Sequence, residues 1–246
     1  MDTTIETVRT VRSRSTAESD PARFQGPLVD LVDAAVQAAA SGTVAITRGF
    51  DRNSRQSAKA LRHLLGERDI AAIEVTPAPG SERLLAGTNV DAVINLVGAG
   101  AWQPYRLAAK LRAPVLTPRS GDDAAASEIE RDVICVTSAA GARDAALSHI
   151  GLRPENTEAS SLTITSDGES LSIPGGWVTI VPRDQWLELT LGGLDIAERT
   201  STAREIHIET FGGPYRWIRD ELPIADFEGV LTFTAEPRGL VVRTVG

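Results

Sequence analysis

Two short stretches carry residue types that could do chemistry. Val97-Gly98-Ala99-Gly100-Ala101-Trp102 places two glycines two positions apart, after an apolar run and before a helix-forming one. Glycine lets backbone N–H groups approach a phosphate, and the N-terminus of the following helix adds a positive dipole. The same glycines can simply turn the chain. The pattern is not a Rossmann fingerprint, because it follows the third candidate strand and Gln103 stands where a third glycine would be. The second stretch, Ser120-Gly121-Asp122-Asp123, has two readings. One is a helix cap with acidic residues in the first turn. The other is a loop that hydrogen-bonds a nucleobase or ribose, with a carboxylate near a metal. Arg48, Arg52 and Arg119 also follow candidate strands, and a nucleotide site should gather them at one mouth.

Other chemistries find less support. His63, His149 and His207 are far apart, with no spacing that suits a metal, and no metal ligands are assigned. Cys135 is the single cysteine, which excludes an intrachain disulfide and a Cys-based zinc site. It lies inside "VICVT" and reads as a small buried hydrophobe. No G-x-S-x-G elbow and no Walker A loop occur.

The elements that must position these residues alternate. "TVAITR" (43–48), "IAAIEVTP" (70–77), "DAVINLVG" (91–98), "APVLTP" (113–118) and "DVICVTSA" (132–139) read as strands. Between them, 53–69, 81–88, 103–112 and 122–131 read as helices, with Asn53 or Ser54 as N-cap of the first. A further helix is predicted before the sheet, from 27, and another over 142–152. This alternation predicts an α/β, three-layer domain with a parallel sheet, whose ligands bind at the carboxyl ends of the strands.

After "GLRPENTEAS" the period changes from helical to two, with turn signals at Asp167-Gly168, Pro174-Gly175-Gly176 and Gly192-Gly193. The expected organisation is a disordered tail (1–25), an α/β nucleotide-binding-like domain (26–155) and a C-terminal antiparallel β domain (156–246). Trp177, Trp186 and Trp217 are expected in the core of that β domain.

The formal net charge is −8, which gives no strong nucleic-acid signal. No apolar run reaches the length of a membrane span, and the N-terminal stretch lacks the apolar core of a signal peptide. A cytoplasmic location is the expectation.

The order of these pieces resembles the diacylglycerol kinase, sphingosine kinase and NAD kinase superfamily. Val97-Gly98-Ala99-Gly100-Ala101 stands at that family's GGDGT motif. Pro118, Ser120, Gly121, Asp122, Asp123 and Ala125 follow its P-x-G-T-x-N-D-x-A loop, and "SDGESLSIP" is similar to its DGE turn. The resemblance implies ATP and Mg²⁺ as cofactors. It implies a nucleotide or other phosphorylated ligand, held in an interdomain cleft by Gly98, Gly100, Trp102, Arg119 and Ser120. Asp122 and Asp167 are the implied catalytic carboxylates. Ala99 stands where the family's aspartate would be, which implies eroded catalysis, a pseudoenzyme; any surviving turnover would be that of an ATP-dependent lipid or NAD kinase. The alternative is a structural or protein-interaction protein on the same fold, without nucleotide binding. A homodimer through the β domain is left open.

Overall fold

The computed structural model describes residues 25–78, 81–98, 100–119 and 127–246. The tail expected to be disordered lies outside them, apart from Gln25, as do Ala99 and the 120–126 stretch. The N-terminal half runs α1 (Gln25–Ala38), β1 (Thr43–Thr47), α2 (Arg52–Gly66), β2 (Ala71–Val75), a 3₁₀ turn (Ser81–Leu85), β3 (Ala92–Asn95), α3 (Trp102–Leu111) and β4 (Val115–Pro118). The remainder is all strand. It comprises β5 (Ser127–Ser138), β6 (Arg143–Ala146), β7 (Ile150–Pro154), β8 (Ser161–Ser166), β9 (Glu169–Pro174) and β10 (Trp177–Arg183). These are followed by β11 (Trp186–Gly192), β12 (Arg199–Ala203), β13 (Glu205–Phe211), β14 (Tyr215–Arg219), β15 (Leu222–Phe227) and β16 (Val230–Val245).

β1 to β4 pair in parallel in the order β2-β1-β3-β4. β3 is fully buried, as a strand covered on both faces requires. One cover is α1 and α2, where Leu31, Leu61 and Leu65 pack on Val44, Ile46 and Ile94. The other is α3, where Leu107 and Ala108 pack on Ala45, Val93 and Val115. The N-terminal half is therefore a three-layer α/β unit, and the C-terminal part is antiparallel β.

The longest strand joins the two. β16 runs antiparallel to β13 and β5 through its first half, then bulges between Glu236 and Leu240. Its last residues pair in parallel with β4, so one sheet continues through both halves. A second sheet, β12-β11-β10-β7-β14-β15, faces the antiparallel part of the first. Inward residues of both sheets alternate with outward ones and bury Leu162, Ile180, Leu189, Ile206 and Phe233 between them.

Two predicted helices are strands. The residues 127–131 of the expected 122–131 helix open β5, and the expected 142–152 helix is β6, a turn and β7. Antiparallel pairing thus sets in at Ser127, ahead of the change in periodicity. The charged segment Ser127–Arg131 suits a helix by propensity. Pairing with β16 overrides that preference, and Glu128 lies directly across from Arg243 with a 2.6 Å ion pair. The N-cap of α2 is Asp51 rather than Asn53 or Ser54: its carboxylate accepts the Ser54 N–H at 2.8 Å, while Ser54 Oγ accepts from Gly49 N–H.

The tryptophans are less buried than expected. Trp186 is 42% exposed beneath the Arg204 guanidinium, and Trp177 is half-buried beneath that of Arg153. Trp217 is half-buried and meets Phe227 edge-on at 6.2 Å. The cation over the ring face accounts for an indole that faces water.

Tyr215 does sit fully buried in this core, and its hydroxyl has no hydrogen-bond partner among the described residues. Burial pushes its pKa up to about 12. An unpaired buried hydroxyl costs about 1 kcal/mol or more. Tyr215→Phe is therefore expected to stabilise the protein by about that amount, raising Tm by roughly 2–4 °C in a thermal melt. A lower Tm would show that the hydroxyl is satisfied in solution.

Asp91 ties the start of β1 to the start of β3. Its carboxylate accepts from Ser41 N–H, Ser41 Oγ and Thr43 N–H at 2.9–3.2 Å. Burial alone would raise its pKa, but these hydrogen bonds outweigh burial and hold it below the ordinary value. A lowered folded-state pKa contributes stability above the unfolded value, and that contribution is lost as pH falls through the folded one. Asp91→Asn is therefore expected to cost stability at neutral pH and to flatten the decline below about pH 4, seen in urea melts across pH. An unchanged acid limb would contradict it.

Candidate functional site: two clefts on either side of a glycine turn

The turn that follows β3 is built by Asn95, which is fully buried at the strand's carboxyl end. Its Oδ1 accepts from Val97 N–H at 3.0 Å and Gly98 N–H at 3.2 Å, and its Nδ2 donates to the Gly98 carbonyl at 3.3 Å. An asparagine that closes the turn after its own strand is an Asx-type device. Gly98 has φ +110°, a conformation other residues rarely adopt, which is why glycine stands there. The Gly98 N–H is already spent, so the expected phosphate cradle at that atom is not formed. The glycine serves the turn.

The turn divides two clefts. The strand-end cleft, of about 320 Å³, is lined by Asp51, Asn53, Ser54 and Ser57 at the α2 N-terminus, by Asn95, Leu96 and Gly98, and by Thr117, Pro118 and Arg119 at the end of β4. The loops after β1, β3 and β4 thus meet, as the strand-end rule for open α/β sheets requires. Arg119 is fixed by its backbone N–H to the Val245 carbonyl at 2.9 Å. Its Nε and the Thr117 Oγ1 are buried, and neither has a hydrogen-bond partner among the described residues. Asp51 is the only carboxylate among the described residues lining this cleft, and its Oδ1 is committed to the α2 cap.

The second cleft, about 440 Å³, opens between α3 and the antiparallel part. Gly100, Ala101, Trp102 and Tyr105 form one wall, and Ile129, Arg131, Leu147 and Val242 lie in the others. Trp102 is 42% exposed and Ile129 47%. Arg131 is exposed and makes no ion pair among the described residues. The N-terminus of α3 has no side-chain cap. Asp132 lines the cleft beside Arg131, so the lining favours an apolar or aromatic group without fixing the sign of its charge.

The residues expected to bind are therefore divided. Gly98 and Arg119 line the strand-end cleft, and Gly100 and Trp102 the other. Ser120 and Asp122 lie outside the described residues. Asp167 lines neither cleft. It is exposed at the β8–β9 hairpin, where Asp167 and Gly168 both have positive φ (52° and 81°), so the Asp-Gly pair is accounted for by turn chemistry.

The three arginines do not converge either. Arg48 Nε pairs with Glu74 Oε2 at 2.6 Å, and Arg62 pairs with the other oxygen at 3.0 Å. Burial would raise the Glu74 carboxyl, but the two guanidiniums outweigh it and hold its pKa below the usual carboxylate range. Arg52 lies beside Arg55, Gln56 and Lys59 on the outside of α2. Only Arg119 reaches the strand-end cleft.

Sequence reasoning missed Asn95 and Arg131. An asparagine at a strand's end, two residues before a Val-Gly, is a readable turn signal. Nothing in the sequence marks Arg131, because its setting depends on non-local pairing.

A network behind the second cleft sets one wall. Asp220, fully buried, accepts through Oδ1 from Leu147 N–H at 2.9 Å, Ser148 N–H at 2.8 Å and Ser148 Oγ at 3.1 Å. Arg219 pairs with Asp144. Burial, reinforced by the nearby Arg219 charge, lowers the pKa of Arg106 on α3, while Asp220 and Asp144 offset it.

No family model matches the chain. No curated protein is significantly similar to it in sequence. Among solved structures, an NAD kinase from Archaeoglobus fulgidus in complex with ATP is similar over 81% of this chain and 92% of its own, at 14% identity and a TM-score of 0.44. Sheep galectin-11 in complex with glycerol is similar over 52% of this chain and 96% of its own, at 10% identity and a TM-score of 0.11. At such scores neither likeness carries an argument, and the site rests on this chain's own groups.

Proposed function

We propose that the chain binds a nucleotide or other phosphorylated ligand beside the glycine turn and has lost kinase turnover. The observation that carries this is a pair of buried groups of residues lining the strand-end cleft, Arg119 Nε and Thr117 Oγ1, that have no partner among the described residues. Buried polar groups are almost always paired, and a donor cluster without a partner suits an incoming anion. The phosphate would sit there, and the exposed Trp102 face across the turn would take a base or apolar moiety. ATP is the ligand implied by the resemblance to the lipid and NAD kinases.

Loss of turnover follows from the donor set. Phosphoryl transfer needs Mg²⁺ and a positioned base for the acceptor. Among the described residues no cluster of three His, Cys, Asp or Glu is placed to hold a metal. Ala99 supplies no carboxylate, and among the described residues the strand-end cleft offers Mg²⁺ a single one, Asp51, whose Oδ1 is engaged in the α2 cap. ADP release over a panel of lipid and nucleotide acceptors is expected to stay at background. Robust acceptor-dependent release would overturn the loss of catalysis.

The dispersal of Arg48 and Arg52 away from the cleft favours the second reading, an interaction protein on this fold. That reading is distinguished by the absence of any nucleotide binding.

A further inference from the structure

The strand-end cleft separates its polar groups by place. β1, β3 and β4 are neighbours in that order, so the residues after β1 and those at the end of β4 stand two strand spacings apart, about 10 Å. Thr117 and Arg119 belong to the β4 side, and Thr117 Oγ1 and Arg119 Nε have no partner among the described residues. Asp51, Asn53 and Ser57 belong to the β1 side, at the start of α2. Asn95, at the end of β3, lies between the two.

The two sides differ in chemistry. The β4 side offers a cation and a hydroxyl, which suit a phosphate. The β1 side offers a carboxylate oxygen, an amide and a hydroxyl. Asp51 spends Oδ1 on the α2 cap, which leaves Oδ2 as an acceptor. The Asn53 amide is exposed and the Ser57 hydroxyl half-buried, and neither is engaged by another side chain among the described residues. A carboxylate repels a second phosphate but accepts hydrogen bonds from hydroxyl groups. Among the described residues no aromatic side chain lines this cleft, whereas Trp102 and Tyr105 line the other. Its volume, about 320 Å³, is at the small end for a ligand site.

We propose that the strand-end cleft takes a phosphorylated sugar, with the phosphate on Arg119 and Thr117 and the sugar hydroxyls on Asp51, Asn53 and Ser57. A bare phosphate would leave the β1 side unused. The inference rests on the phosphorylated-ligand reading above and names the part of the ligand that this cleft reads. A free sugar phosphate and the ribose phosphate of a nucleotide share that chemistry.

The test is calorimetric titration of the full chain with ribose 5-phosphate, inorganic phosphate, ribose and AMP. Ribose 5-phosphate is expected to bind about tenfold or more tighter than inorganic phosphate, the gain from one or two neutral hydrogen bonds. Ribose alone should not bind measurably. Asn53→Ala with Ser57→Ala should weaken ribose 5-phosphate by about tenfold and leave inorganic phosphate unchanged. Neither side chain caps α2, and a thermal melt checks that the variant is folded. Asp51→Asn keeps a capping oxygen, and it should weaken ribose 5-phosphate without weakening inorganic phosphate. Equal affinity for the two, or substitutions on the β1 side that weaken both alike, overturns the proposal and leaves the phosphate reading standing. Binding of none of the three phosphates overturns both. AMP that binds as tightly as ribose 5-phosphate supports the proposal with a nucleotide as the source of the sugar. Weaker binding of AMP supports it with a free sugar phosphate.

Discussion

Asp220→Ala is expected to destabilise the protein by about 2–5 kcal/mol, because two buried backbone donors lose their acceptor at about 1–3 kcal/mol each. Asp220 is fully buried, and its Oδ1 holds the Leu147 and Ser148 N–H groups. Alanine would leave those donors unpaired, and Arg106 and Arg219 would keep their charge without the carboxylate. Asp220 also has φ +48°, which Asp and Asn tolerate better than Ala. Asp220→Asn keeps both the acceptor oxygen and that tolerance, so it should recover part of the loss. The check is urea denaturation of the three proteins. A loss below about 1 kcal/mol for Asp220→Ala would mean the network is not closed in solution.

The second large effect concerns ligand binding. Arg119→Gln is expected to weaken binding of ATP or ADP by about tenfold to a hundredfold, the cost of one charge-assisted hydrogen bond. The unliganded variant should be no less stable than the parent, because Arg119 Nε has no partner among the described residues to lose. This opposite behaviour separates a ligand-binding role from a structural one. Calorimetric titration and a thermal melt on the same preparations read both. A variant that loses stability but keeps affinity would assign Arg119 to the fold.

The parallel half was legible in the sequence because its strands are short β-branched runs between helical periods. Thr43–Thr47, Ala71–Val75 and Ala92–Asn95 are all strands, α2 lies between the first two, and α3 follows the third, as expected. The order of strands could not be read, nor could the return of β16 to β4, which joins segments more than a hundred residues apart. The same distance hid β5: Ser127–Arg131 is strand only because β16 lies beside it. The turn at Leu147–His149 depends on Asp220, an acceptor far away in the chain. At the site, the location beside the glycine turn was readable, but its chemistry was not. The sequence offers the Gly98 N–H as a donor, but in the fold Asn95 takes it. The place of Arg119 after a strand is legible, whereas the setting of its Nε is a property of packing.

The most direct test of ligand binding in the strand-end cleft is the Tm of the parent protein titrated with ATP, ADP and pyrophosphate, each with and without Mg²⁺. A ligand that binds only the folded state stabilises it by about 2.7 kcal/mol at a hundred times its Kd. The expected result is a concentration-dependent rise with at least one of these phosphates, retained without Mg²⁺ and absent in Arg119→Gln. No shift with any of them at millimolar concentration would contradict the account and leave the interaction protein.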